Sequence, residues 1–189
     1  YKKLEDLIKA EKAKPKSISF ASAGVATPSH LVCEMVNFQI GTQLEHVPYK
    51  GNAPAVADVM GGHIPVMCNN LGGTLPYMSS GQLRILAQTG KTRSAAVPDV
   101  PTIAESGYPG YEDVTLNMLL APAGTPKDIL LRLQSEVAKA YTQPELVAKF
   151  AERGIELVAS PSPEAFGQTI KSEVDRLKKV AREANIKAE

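Results

Sequence analysis

The chain has 189 residues, with 21 Lys and Arg against 20 Asp and Glu, for a formal net charge of +1. That balance argues against a nucleic-acid partner, which selects for a basic excess on one face. No apolar run approaches the roughly 20 residues needed to span a bilayer, and no signal peptide is visible, which leaves the compartment open because export removes it.

The periodicity predicts a helix over Leu4 to Lys14, with Leu4, Leu7 and Ile8 on one face and Pro15 just beyond its end. Ser17 to Ala21 alternates as a short strand. A loop of small residues, Ser22 to Thr27, then leads into a helix that runs to about Ile40 and stops at Gly41. There Thr27 reads as the N-cap, Pro28 as the first helical residue, and Leu31, Met35 and Phe38 as the apolar stripe. Leu44 to Pro48 reads as a strand, Pro54 to Met60 as a helix, His63 to Cys68 as a buried strand, Leu71 to Met78 as a helix and Leu83 to Thr89 as a further strand. This alternation predicts an α/β fold with a mainly parallel sheet and right-handed crossovers.

Beyond Lys91 the chain is rich in loops, with a short helix expected over Thr102 to Ser106 and a strand over Val114 to Ala121. Pro122 to Pro126 is a stiff connector and the expected domain boundary. The remainder reads as helices over Lys127 to Thr142, Pro144 to Arg153 and Ser162 to Ala184, with one edge strand at Ile155 to Val158. Each helix carries an apolar stripe: Ile129, Leu130, Leu133, Val137 and Tyr141 on the first, and Phe166, Ile170, Leu177 and Val180 on the last.

The first candidate site is the strand-to-helix turn Ser22-Ala23-Gly24-Val25-Ala26-Thr27-Pro28-Ser29-His30. A helix start leaves N–H groups unpaired and carries partial positive charge, so it suits a carboxylate or phosphate without a cationic side chain. The required glycines and Lys of the dinucleotide and P-loop fingerprints are missing. Two further turns fall at the same end of the expected sheet. One carries Tyr49, Lys50 and Gly51, and the other Asn69 and Asn70. Their phenol, ammonium and amide groups would line one crevice suited to a small anion.

Other chemistry finds less support. Ser22 and Ser29 lie near His30, which raises a small-hydrolase reading, but there is no G-x-S-x-G elbow and no carboxylate that the sequence places to orient His30. His30, His46 and His63 are scattered, and no cysteine–histidine cluster has metal-ligand spacing, so neither metal nor cofactor is expected. Cys33 and Cys68 read as two buried thiols, with a disulfide open only if the fold brings their Cα atoms within roughly 7 Å.

Several segments taken together resemble a known family. Ser22 to Leu31 resembles an S-S-G-x-G-T-x-x-H-L loop, and His46 to Ala55 resembles H-V-P-Y-K-G-x-x-P-A. Leu75 to Arg84, Pro98 to Gly110 and Leu120 to Pro126 resemble three more of its motifs in order. The family is that of the Bug-type receptors of tripartite tricarboxylate transporters. The resemblance implies a periplasmic-binding-protein fold of two α/β lobes that close on a small carboxylate and deliver it to membrane transporter subunits.

By that match residues 1–121 form the second lobe, and residues 122–189 form returning helices of a first lobe whose main sheet lies outside the chain. Ser22, Ala23, Gly24, Val25, Thr27 and His30 would sit on the ligand loop, with Tyr49, Lys50 and Asn70 flanking. Ala26 departs from the pattern, standing where the family loop has glycine. The C-terminal helices are expected to need cover, from the rest of a longer receptor or from another chain. A ligand-sensing lobe of a transcription regulator would share the two-lobed logic, but no DNA-binding segment accompanies it.

Overall fold

Residues 1–186 are described by the computed structural model. Helix α1 (Leu4–Ala13) buries Leu4, Leu7 and Ile8, as its spacing predicts. Then β1 (Ser19–Ser22), α2 (Pro28–Ile40), β2 (Glu45–Pro48), α3 (Asn52–Met60), β3 (Val66–Met67) and α4 (Leu71–Ser79) follow. The sheet is parallel with the order β2-β1-β3. Its register sets Ser22 beside Pro48 and Ala21 beside Met67, so all three strands end along one edge. The chain lays β2 on one flank of β1 and then crosses to place β3 on the other. The gap between the ends of β1 and β3 is therefore a topological switch point, where open α/β sheets bind ligands.

Phe20 and Ala21 on the central strand have no exposed surface. Around Phe20 pack Leu7, Ile8, Ile18, Cys33, Val36, Ile40, Leu44, Ile103 and Tyr111. Helix α2 ends where Gly41 takes φ +72°, a left-handed cap that glycine adopts without steric cost. Beneath that turn the buried Asn37 amide does the work of a missing ladder. Its Oδ1 accepts from Leu44 N and Thr42 Oγ1, and its Nδ2 donates to the Leu44 carbonyl.

The inner face of α2 is His30, Cys33, Val36, Asn37 and Ile40 rather than the expected stripe: Met35 is buried, but Phe38 is 62% exposed. The stripe read from the sequence counted apolar residues only, and the true face carries His30 and Asn37. The two thiols are likewise corrected. Cys33 and Cys68 form a disulfide, with Cα atoms 5.7 Å apart, tying α2 to the exit of β3.

Four expected strands shrink or vanish. His63 to Cys68 contributes only Val66–Met67 to the sheet. Leu83 to Thr89 runs beside the core but forms a single bridge, Gln88 to Thr102. Val114 to Ala121 and Ile155 to Val158 form no ladder, and Leu119, Leu120 and Val158 are about two-thirds or more exposed. A strand exists only where a neighbour accepts its N–H groups and donates to its carbonyls, and the described residues supply none there. Thr102 to Ser106 makes one turn rather than a helix. Thr102 N donates to Glu105 Oε2 and Glu105 N to Thr102 Oγ1, the reciprocal pair of a capping box.

The C-terminal part is α5 (Lys127–Ala140), α6 (Pro144–Ala151) and α7 (Pro163–Glu183), the last capped by the Ser162 hydroxyl accepting from Ala165 N. None of the three buries a residue fully. Helix α7 returns across α2, where Arg176 pairs with buried Asp113 at 2.7 Å and with Glu173 at 2.6 Å, and points one N–H at Met35 Sδ. Among the described residues no helix is long and apolar enough to cross a membrane.

Candidate functional site

The loop from β1 to α2 is built around two left-handed residues. Gly24 has φ +136°, and a Cβ there would stand 3.2 Å from the Tyr49 carbonyl, so the loop needs glycine to lie against the β2 exit. Ala26 has φ +58°, a region that costs a residue with a Cβ roughly 1–2 kcal/mol. This is the position of the second glycine in the S-S-G-x-G-T pattern that the loop resembles. The neighbouring exit is stitched to the same loop, with Tyr49 N donating to the Ser22 carbonyl and Gly51 N to the Ala23 carbonyl.

Much of the loop's own hydrogen bonding is satisfied internally. Ala23 N donates to Ser29 Oγ, Gly24 N to Ser22 Oγ and Ala26 N to His30 Nδ1. Thr27 stands at the N-cap with Pro28 next, as expected, but its hydroxyl donates back to the Gly24 carbonyl at 2.6 Å instead of capping the helix. The N–H groups of Val25, Ser29 and His30 find no acceptor among the described residues. These three donors at the positive end of α2 are what the site offers an anion.

Ser22 and His30 lie under the loop, each at most 5% exposed, while Ala23, Gly24 and Thr27 are half-buried and Val25 is exposed. Tyr49 is half-buried and spends its hydroxyl on Asp58 Oδ2 at 2.6 Å, which pushes the phenol's pKa up. Lys50 is exposed on the rim. Asn70 is the cap of α4: its Oδ1 accepts from Gly73 N at 2.8 Å. Beside it Asn69 Oδ1 accepts from Asn70 N, and the buried Asn69 Nδ2 has no partner. The parallel register brings the Tyr49 and Asn70 turns to the same edge as the loop, but both side chains are engaged by local structure.

Two side chains were not singled out by the sequence reading. His46 stands opposite Phe20 on β2, and its ring stacks on His30 with centroids 3.6 Å apart. Its Nε2 meets Ser22 Oγ. Burial, with the His30 ring beside it, pushes the His46 pKa down to about 4, and burial lowers that of His30 as well. Glu34 lies 3.5 Å from His30 Nε2, one helical turn on. This corrects the reading that no carboxylate orients His30. The i, i+4 spacing on one helix was the available signal for Glu34, whereas His46 was hidden because register joins it to His30. Neither Ser22 nor Ser29 bonds to His30, so the serine–His30 pair that the hydrolase reading called for is not made, and Ser22 meets His46 instead.

Residues 1–186 match the Tripartite tricarboxylate transporter family receptor, and the chain belongs to that family. It is 34% identical over its full length to the UPF0065 protein in the tcbD-tcbE intergenic region of Pseudomonas sp., covering 56% of that protein. Protein BugT of Bordetella pertussis is 33% identical over 97% of the chain, again with 56% of BugT covered. Among solved structures, R. palustris Rpa4515 with adipate superposes with a TM-score of 0.88 at 31% identity, over 98% of this chain and 62% of that one. The chain thus spans about half the length of the relatives it matches. The architecture is that of a periplasmic binding protein, α/β with a parallel sheet and trailing helices. The family is one of solute-binding receptors rather than enzymes, which sets aside the hydrolase reading.

Proposed function

We propose that this chain carries the second lobe of a periplasmic receptor that captures a small organic carboxylate and hands it to the membrane subunits of a tripartite tricarboxylate-type transporter. Residues 1–121 are that lobe, and residues 122–189 supply helices of the first. The observation that carries this reading is the switch point itself, where the N–H groups of Val25 in the loop and of Ser29 and His30 in the first turn of α2 find no acceptor among the described residues. Ser22, Ala23, Gly24 and Thr27 shape the loop, while Tyr49, Lys50 and Asn70 border the crevice. The disulfide supports an oxidising compartment. Family membership and the adipate held by a relative support the ligand class.

Thermal unfolding against adipate, succinate, malate, citrate, aspartate and benzoate tests it. An acid at about 100 times its dissociation constant adds roughly 2.7 kcal/mol, a rise of about 5–10 °C for a domain of this size. A shift with one acid supports the receptor reading and names its class. No shift with any acid, on this chain and on one extended through a full first lobe, overturns it.

A further inference from the structure

We infer that the stacked pair His30 and His46 is the positioning unit of the anion loop, holding the loop in its binding shape only while the His30 ring is neutral. The inference rests on the carboxylate-receptor reading for its consequence, but not for its geometry.

Three contacts tie the pair to the loop. His30 Nδ1 accepts the N–H of Ala26, the residue held at φ +58°, at 3.1 Å. His46 meets the hydroxyl of Ser22, and that same hydroxyl bonds both the N–H and the carbonyl of Gly24 at 3.1 Å. The rings lie 3.6 Å apart with 10° between their planes, and the Phe20 ring closes the stack 5.0 Å from His46. Both left-handed residues of the loop are therefore fixed from below by one aromatic column.

The contacts also fix protonation. An imidazole that accepts at Nδ1 is neutral and carries its proton on Nε2, here facing Glu34 Oε1. An imidazolium has N–H on both nitrogens, so a protonated His30 would set its own N–H against that of Ala26. The charged groups facing the pair are few: Glu34 from α2 and each ring toward the other, with Phe20 and the Ser22 hydroxyl from β1. Glu34 favours a charged His30, but burial opposes it and prevails, and a second charge on the stacked ring is disfavoured by the first. His30 thus serves the ligand through its main-chain N–H and through Ala26, while its ring stays out of contact.

Nitrogen-15 NMR of the chain from pH 7.5 to pH 4 is the test, with His30→Asn and His30→Leu alongside. Asn offers Oδ1 near the Nδ1 position and does not titrate. The expected result is an Nε2-protonated His30, an Ala26 amide that shifts with the histidines, an amide that stays protected in His30→Asn at low pH, and one that is lost in His30→Leu. An Ala26 amide indifferent to histidine protonation, or protected in a folded His30→Leu chain, overturns the inference.

Adipate titration is a separate arm. Where it binds at pH 7.5, the affinity should fall about tenfold or more on protonation of the pair, and by far less in His30→Asn. Equal affinity across that range overturns the inference. Binding at no pH counts against the receptor reading and leaves the amide readout to decide the positioning role.

Discussion

Ala26 stands where the loop pattern that this segment resembles has glycine, and within the loop it is the left-handed residue that is not glycine. The steric cost of a Cβ there, roughly 1–2 kcal/mol, is offset by the greater freedom glycine loses on folding, about 0.5–1 kcal/mol. Ala26→Gly is therefore expected to raise stability by up to about 1 kcal/mol, and the bulkier, β-branched Ala26→Val to lower it by about 1–2 kcal/mol. Urea unfolding midpoints measure both. A valine variant as stable as the parent would show that the loop does not hold this residue left-handed. At this scale the sequence was informative about position and silent about commitment. It placed Ser22 to His30 on one loop, but it could not tell that the Tyr49 hydroxyl, the Asn70 amide and the Thr27 hydroxyl are spent locally.

Among the elements, the Cys33–Cys68 bridge closes a separation of 35 residues around β2, α3 and β3. Restricting the unfolded chain by a loop of that length is worth about 4 kcal/mol in the chain-entropy account. The double variant Cys33→Ser, Cys68→Ser should unfold at a lower denaturant concentration by that measure, and the parent should fall to match it once reduced. Unfolding that is unchanged by reduction would mean the bridge constrains nothing.

The helices were legible from sequence because their signals are local: Pro28 at the start of α2, Gly41 at its end, the Ser162 cap of α7. The strands were not. Val114 to Ala121 has the composition of a buried strand and none of the pairing, because a ladder is a property of two segments and its partner is not beside it. Phe38 misled for a related reason. Which side of α2 faces inward is decided by the buried Asn37 amide and the His30 stack, and not by apolar count.

On the scale of the whole molecule, the trailing helices are fastened to the α/β part through α7. Asp113 is buried, and burial raises its carboxyl's pKa above the usual range even with Arg176 alongside. Removing the guanidinium leaves that carboxyl without its partner, so Arg176→Ala should cost about 1–3 kcal/mol, less than a fully buried pair because Arg176 keeps contact with water. Asp113→Asn should cost less, since the neutral form is already favoured by burial. A double-variant cycle read by thermal unfolding checks both, and zero coupling would remove this tether from the account.

The bridge has one more consequence, for the chain under load. Strand β1 lies between β2 and β3, and both of those strands belong to the covalent ring that Cys33 and Cys68 close. Pulled from its two ends, the oxidised chain cannot extend the enclosed segment at all. Its full extension stops about 110 Å short of the reduced chain's, since each residue spans at most roughly 3.3–3.6 Å. The strand that carries the anion loop is thus flanked on both sides by backbone that tension cannot draw out while the ring is closed.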